Sequence, residues 1–263
     1  KAADLIRGAD FPVILAGNGV LRARASDELV AFSDATGIPV VNTFMGKGAI
    51  PASHPNCLFT VGLQARDVVA LALEEADVVL AVGYDLVEYH PKLWNRGRPK
   101  HVVNIDVSVA EVDAHFAPAI DIPADVGLSL SQLCETLGNE PLVRREQFNS
   151  YRETMLQEFE QCAEDIEFPV KPQRILSDVR KALGPDDILL SDVGAHKMWI
   201  GRYYQCESPN TCLISNGFCS MGFALPGAIG AKLSYPDRKV LAICGDGGFM
   251  MNVQELETAV RLK

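Results

Sequence analysis

A short apolar run that ends in a cluster of glycines around one aspartate constrains this sequence most. Val240, Leu241, Ala242 and Ile243 are followed by Cys244 and then by Gly245, Asp246, Gly247 and Gly248. An unbroken apolar run of this length predicts a parallel strand covered on both faces, because a half-exposed strand would alternate. The glycines predict a turn in which the backbone takes positive φ and a ligand can approach the main chain. A helix through 252–260 would point its unpaired N–H groups back at that turn. Such a place suits a phosphate. The Asp246 carboxylate would repel it unless a hard divalent cation lay between them, and oxygen ligation beside a diphosphate is a common way to hold Mg²⁺. Gly-Asp-Gly after a strand is also an ordinary turn, since both residue types favour turns for local reasons.

The whole chain is compatible with two such α/β domains. Its 263 residues are 48% hydrophobic and 22% charged, which excludes disorder and a coiled coil and is enough for two cores. The net charge of −10 comes without any Lys/Arg-rich block, so the footprint of a nucleic-acid binder is missing. Seven scattered cysteines without a Cys-x-x-Cys pair argue for reduced thiols in a cytoplasmic protein rather than disulfides or zinc. No apolar run approaches membrane-spanning length, and Lys1 does not begin a signal peptide.

Taken in order, residues 1–140 alternate strands and helices. Strands are expected at 11–16, 38–42, 77–83 and 101–106, and helices at 25–36, 65–75 and 124–137, which predicts a mostly parallel sheet with helices on both faces. Gly17 and Gly19 after the first strand invite a dinucleotide reading, but Arg22 stands where GxGxxG needs its third glycine. A strand end with a tight turn explains the pair better than a bound dinucleotide does. The strand ends at Asn42, Gly83 and Asp106 could together line a crevice for a nucleotide.

Residues 141–172 change character. The stretch 144–164 is charge-rich, with Phe148, Tyr151, Met155, Phe159 and Cys162 at helical spacing, and predicts an amphipathic connecting helix. The segment 168–172, with two prolines, predicts an extended boundary. A second domain then occupies 173–263, with a helix at 173–183, a strand at 188–192 and a further helix opening at Gly194, Ala195 and His196. The first N–H groups of that helix could also face a diphosphate. Small residues between Gly217 and Ala231 suit close packing of a helix on the sheet, with Pro226 in its first turns. The fold class expected is therefore α/β: two doubly wound parallel-sheet domains joined by a helical linker.

Three segments in this order, DVGAHKMW, ISNGFCSMGFALPGAIGAK and GDGGFMMNVQELETAV, resemble the C-terminal cofactor domain of the acetolactate synthase branch of the thiamine diphosphate enzymes. The first part of the chain resembles their central domain, so the likeness covers nearly the whole sequence. The stretch 83–95, GYDLVEYHPKLWN, is similar to the catabolic, FAD-independent synthases. By contrast, His196 and the run Phe249 to Asn252 are more like the biosynthetic branch, and this mixture leaves FAD doubtful. In the family a second metal ligand, an asparagine, follows the aspartate by roughly two dozen residues, an oxygen ligation suited to Mg²⁺. The sequence stops before that point and reads as a fragment.

The resemblance implies that Asp246 binds Mg²⁺ and that Gly245, Gly247 and Gly248 hold the diphosphate of thiamine diphosphate. Gly194, Ala195 and His196 would line its other side, with Ala195 standing where the biosynthetic enzymes carry glutamine. Met221 matches the apolar residue that props the cofactor in its bent form, although ordinary core packing would also explain a methionine. The Cys219 carbonyl would accept a hydrogen bond from the aminopyrimidine. The implied reaction is decarboxylation of pyruvate and joining of the remaining two-carbon unit to a second pyruvate, giving 2-acetolactate. A glutamate from an N-terminal domain of a neighbouring subunit activates the cofactor in the family. The intact protein is thus expected to be a homodimer or homotetramer acting on a 2-oxo acid, and these residues alone to be inactive. Another 2-oxo acid decarboxylase or carboligase would share the same cofactor residues, and a non-catalytic nucleotide-binding fragment is the alternative from a different class.

Overall fold

The computed structural model describes residues 1–62, 68–95, 99–138 and 141–263. It divides into two compact units, Lys1–Gln157 and Glu158–Lys263. The first contains α1 (Ala2–Arg7), β1 (Pro12–Ala16), α2 (Asn18–Arg22), α3 (Ser26–Thr36), β2 (Val40–Asn42), β3 (Cys57–Thr60), α4 (Val68–Glu75), β4 (Val78–Val82), β5 (His101–Asp106), β6 (Ile120–Pro123), α5 (Val126–Leu137) and the start of α6 (Asn149–Glu164). Ala65, Arg66 and Asp67 of the expected helix over 65–75, and Glu140 at the expected domain edge, lie outside the described residues.

All six strands pair in parallel, in the order β3-β2-β1-β4-β5-β6. Every residue of β1, β2 and β4 is buried, as the unbroken apolar runs require when helices cover both faces of a sheet. α3 stops at Gly37, whose φ of 72° is cheap only for glycine, and Asp125 starts α5 by accepting the Leu128 N–H at 2.8 Å.

The two glycines after β1 serve packing. A Cβ on Gly17 would stand 2.3 Å from the Gly83 carbonyl oxygen, and one on Gly19 would stand 2.4 Å from Gly83 Cα. The ends of β1 and β4 therefore touch backbone to backbone, with Gly19 N donating to Gly83 O at 2.8 Å. Next to this contact the Glu88 carboxylate accepts the N–H groups of Asn18 and Met45, so an acid of the chain itself meets the start of α2. The stretch 83–95 owes its aromatic residues to a small core. Trp94 is fully buried and donates from Nε1 to the Tyr84 hydroxyl at 3.0 Å, with Phe116 packed against both rings. Burial pushes the Tyr84 phenol far above its ordinary range.

α6 carries Met155 and Phe159 of the expected apolar stripe buried, and the buried Phe148 stands just before its first residue. Within the first unit its Arg152 is buried and donates to the carbonyl oxygens of Cys57, Ala52 and Ser53 at 2.7, 3.1 and 3.2 Å.

The second unit continues with α7 (Pro172–Ala182), β7 (Ile188–Ser191), α8 (Ala195–Tyr203), β8 (Cys212–Ile214), α9 (Ala224–Ser234), β9 (Val240–Ile243), α10 (Asp246–Met251) and α11 (Glu255–Leu262). Its three strands pair in parallel in the order β8-β7-β9. The core gathers Ile188, Leu190 and Ala224, with Ala228, Ala231, Val240 and Ala242 packed on them, so the small residues of α9 let the helix lie close to the sheet. Pro226 falls in the first turn of α9, where its missing N–H costs nothing. β9 is half-buried along its length rather than covered on both faces. Among the described residues no helix is long and apolar enough to cross a membrane.

Candidate functional site at the ends of β7 and β9

β7 lies between β8, which follows it in the chain, and β9, which the chain reaches from β8 by crossing back past β7, so the winding reverses between β7 and β9. That is a switch point, the place where open parallel sheets bind ligands beyond the carboxyl ends of their strands. Two helices start there. α8 follows β7 and is capped by Gly194, and α10 follows β9 and is capped by Gly245.

α10 begins at Asp246 itself, where the sequence suggested a glycine turn with positive φ and a helix only from 252. Gly245 is extended at φ −76°, ψ 168°, and neither Gly247 nor Gly248 has positive φ. Gly248 is needed for space instead, whereas Gly247 leaves room for ordinary contact. A Cβ on Gly248 would stand 2.9 Å from the Asp192 carboxylate, and one on Gly247 would stand 3.4 Å from Met221 Cε. Asp246 Oδ1 accepts the Gly247 N–H at 2.8 Å, and the Asp246 side chain is exposed at the mouth of the site. The helix breaks at Asn252, φ −131°, ψ 26°, whose side chain turns to the Gly222 carbonyl.

His196 joins the two helix starts. Its Cε1 lies 2.9 Å from the position a Cβ would take on Gly194 and 3.6 Å from that on Gly245. Its Nε2 is buried and has no hydrogen-bond partner. A buried polar atom without a partner costs about 1–3 kcal/mol, which a ligand atom in the site would relieve. Ala195, exposed, is the first residue of α8.

The remaining expected residues are on the loop before α9. Met221 lies over Gly247, half-exposed. Cys219 has φ 51°, uncommon for a residue with a side chain, and its Sγ is 3.1 Å from the buried Lys197 ammonium of α8, which also donates to Asn216 Oδ1 at 2.7 Å. The structure thus brings Gly194, His196, Gly245, Asp246, Gly247, Gly248 and Met221 to one end of the sheet, with Cys219 tied to α8.

Asp192, Lys197, Gly222 and Asn252 border the same loop and helix starts without a local signal in the sequence. Asp192 is fully buried immediately after β7 and accepts the N–H groups of Val193 at 2.7 Å and Gly222 at 2.9 Å. Burial pushes the neighbouring Cys244 thiol up, and the charge of Asp192 and a hydrogen bond to it push it further. An aspartate ending a strand does not of itself distinguish a ligand from a brace.

Residues 1–133 match the family described as "Thiamine pyrophosphate enzyme, central domain", and residues 192–263 match "Thiamine pyrophosphate enzyme, C-terminal TPP binding domain". The chain belongs to the thiamine pyrophosphate enzymes. Among curated relatives of this family it is 33% identical over 261 residues to an acetolactate synthase of Bacillus subtilis (strain 168), covering 98% of this chain and 46% of that protein. It is 34% identical over 275 residues to a probable acetolactate synthase large subunit of Methanocaldococcus jannaschii, covering 98% of this chain and 45% of the relative. An acetolactate synthase of Mycobacterium bovis is 31% identical over 266 residues, covering 98% of this chain and 43% of that one. The chain thus spans about half the length of these thiamine pyrophosphate enzymes.

Proposed function

We propose that this protein is a thiamine diphosphate- and Mg²⁺-dependent acetolactate synthase, which decarboxylates pyruvate and joins the two-carbon unit to a second pyruvate. The observation that carries the reading is His196: its unpartnered, buried Nε2 stands where two glycine-capped helix starts meet, beside the exposed Asp246. These residues fit a diphosphate and its cation. The N–H groups of Ala195 and His196 would meet the diphosphate from α8, His196 Nε2 would add a hydrogen bond, and Gly245, Gly247 and Gly248 would admit it against the main chain. Asp246 would hold Mg²⁺ together with diphosphate oxygens; among the described residues no three acidic, His or Cys side chains group into a metal site on their own. Met221 would support the organic part of the cofactor from the side of Gly247, and the Cys219 carbonyl would orient its aminopyrimidine. When bound, the cofactor supplies the electron sink that makes decarboxylation of a 2-oxo acid possible.

An FAD-independent enzyme is part of this proposal. Glu88 supplies its own carboxylate at the start of α2, where a dinucleotide pyrophosphate would sit in a GxGxxG unit, and two anions would repel each other there. The units proposed are a central domain over 1–140, a helical linker over 141–172 and part of the cofactor domain over 173–263. A cytoplasmic homodimer or homotetramer is proposed for the whole protein, the cytoplasm in keeping with seven scattered cysteines without a Cys-x-x-Cys pair.

The test is calorimetric titration of the full-length protein with thiamine diphosphate, with and without Mg²⁺, followed by product analysis with pyruvate. Binding that needs Mg²⁺ and vanishes in Asp246→Ala, together with acetolactate from a colourless protein, is the expected result. Binding unaffected by Asp246→Ala would remove the metal assignment, a product other than acetolactate would remove the reaction, and a flavin spectrum would remove the FAD-independent reading.

A further inference from the structure

The loop that carries Cys219 and Met221 is held at a single residue from two sides. Gly222 donates its N–H to Asp192, at 2.9 Å to Oδ1 and 3.1 Å to Oδ2, and its carbonyl accepts from Asn252 Nδ2 at 2.8 Å. Asp192 comes from the end of β7, and Asn252 from the end of α10. Neither bond is local, since both partners lie 30 residues from Gly222 in the chain. The geometry admits only glycine at this position: φ is +84°, and a Cβ would stand 2.6 Å from Asn252 Nδ2. Asp192 is fully buried, and its carboxylate takes the Val193 N–H and a hydrogen bond with Cys244 besides. Asn252 is fixed in turn by Gln254, which donates to its Oδ1 at 3.2 Å.

What this grip holds still is the separation of two parts of the site. Asp192 also lies against Gly248, 2.9 Å from where a Cβ would be, and Met221 Cε lies 3.4 Å from the corresponding point on Gly247. One carboxylate therefore touches both the loop at 219–222 and the first turn of α10. The Asn252 amide ties the far end of the same helix to the same loop. A rotation about the backbone bonds of Gly222 would swing Met221 and the Cys219 carbonyl relative to Asp246.

We propose that Asp192 and Asn252 are a pair of positioning residues, which clamp Gly222 at its N–H and at its carbonyl, in the two peptide groups that flank its Cα, so that Met221 and the Cys219 carbonyl keep a fixed distance from the Asp246–Gly248 turn. This rests on the reading of the site as a thiamine diphosphate site, and it assigns the pair to cofactor conformation rather than to cofactor affinity. Diphosphate and metal would meet 245–248 and α8, to which neither clamp side chain makes a hydrogen bond, although Asp192 packs against Gly248. The organic part of the cofactor would meet 219–221, which the clamp holds. A misplacement of about 1 Å between reacting groups costs on the order of a hundredfold in rate, so loss of half the clamp should appear in kcat.

The experiment uses the full-length protein and its Asn252→Ala and Asn252→Asp variants; the second keeps the shape of the side chain but removes the donor to the Gly222 carbonyl. Hydrogen exchange of the peptide containing Gly222, measured without cofactor, should accelerate about tenfold in both variants as the loop opens locally. Thiamine diphosphate affinity by calorimetry should change by less than about threefold, and kcat should fall by on the order of tenfold to a hundredfold with KM for pyruvate nearly unchanged. Asp192→Asn, which keeps one acceptor oxygen, should lie between the wild type and these variants. Unchanged exchange and unchanged kcat would overturn the clamp, and so would a loss of affinity equal to the loss of kcat. If the wild-type protein itself binds no thiamine diphosphate, the cofactor reading fails and takes the positioning role with it, whereas failure in the variants alone removes only the clamp.

Discussion

One carboxylate oxygen of Glu88 lies 3.1 Å from the backbone nitrogen of Asn18, and the other lies 3.0 Å from that of Met45. Burial raises this carboxyl above its ordinary value of 4.5, and the hydrogen bonds with Thr43, Asn18 and Met45 only partly offset it. A raised folded value means that the native state binds the proton more tightly than the unfolded chain does. Stability from this group therefore falls as pH rises from 4.5 to the raised value. Glu88→Gln removes the titration. Its melting temperature relative to wild type should increase as pH rises above 4.5, through the range over which the raised carboxyl ionises. Parallel melting curves over that range would show that Glu88 does not titrate there.

Asp187 has the opposite sign. Its two oxygens accept the Gly184 N–H at 2.7 Å and the Lys239 N–H at 2.8 Å, and these bonds, Gly184 first, hold its carboxyl below the ordinary 3.8. The stabilisation is complete above the ordinary value and is lost as pH falls through it towards the lowered one. Asp187→Asn should therefore be less stable than wild type near neutrality, with the gap closing in acid. Urea melts at about pH 7 and pH 3 would check this, and a constant gap would refute it.

Much of the architecture was legible because it depends on runs of residues. The apolar stretches at β1, β4, β7 and β9 announced parallel strands, and the alternation with helices announced the α/β class. β3 and β6 escaped, since CLFT is short and IDIP alternates exposed and half-buried residues at a sheet edge. What the sequence could not display was contact across distance. Gly17 and Gly19 are explained by Gly83, more than sixty residues on, and Gly248 by Asp192. The same holds for the candidate site. Asp246 stands out locally because an acid among glycines is unusual, whereas Asp192 and Asn252 gain meaning only from Gly222, which both of them hold.

Arg152 anchors the start of α6 to the first unit. Its guanidinium is buried, donates to three carbonyl oxygens of residues 52, 53 and 57, and lies 5.0 Å from the centre of the Phe59 ring. Arg152→Ala leaves those carbonyls without their charged donor and should destabilise the first unit by about 3 kcal/mol. Arg152→Lys keeps the charge but not the planar fork, so it should recover less than half of that loss. Hydrogen exchange of residues 52–59 would locate the effect, and a uniform change over the chain would argue against this anchor.

His196 offers a test in which stability and binding move apart. Its Nε2 is buried without a partner, and its ring fills the space between Gly194 and Gly245. Replacing it by phenylalanine keeps a planar ring there and removes the unsatisfied nitrogen, a change that relieves a desolvation cost of about 1–3 kcal/mol. The ligand-free His196→Phe protein should therefore melt at the same temperature as wild type or higher. Thiamine diphosphate with Mg²⁺ should bind it about tenfold more weakly, since one hydrogen bond to a charged group is lost. Such a pairing of retained stability with lost affinity is the mark of a residue kept for a ligand. Melting curves without cofactor and calorimetry with it decide the matter: an unstable variant would make His196 a structural residue, and an unaltered affinity would mean that Nε2 does not face the diphosphate.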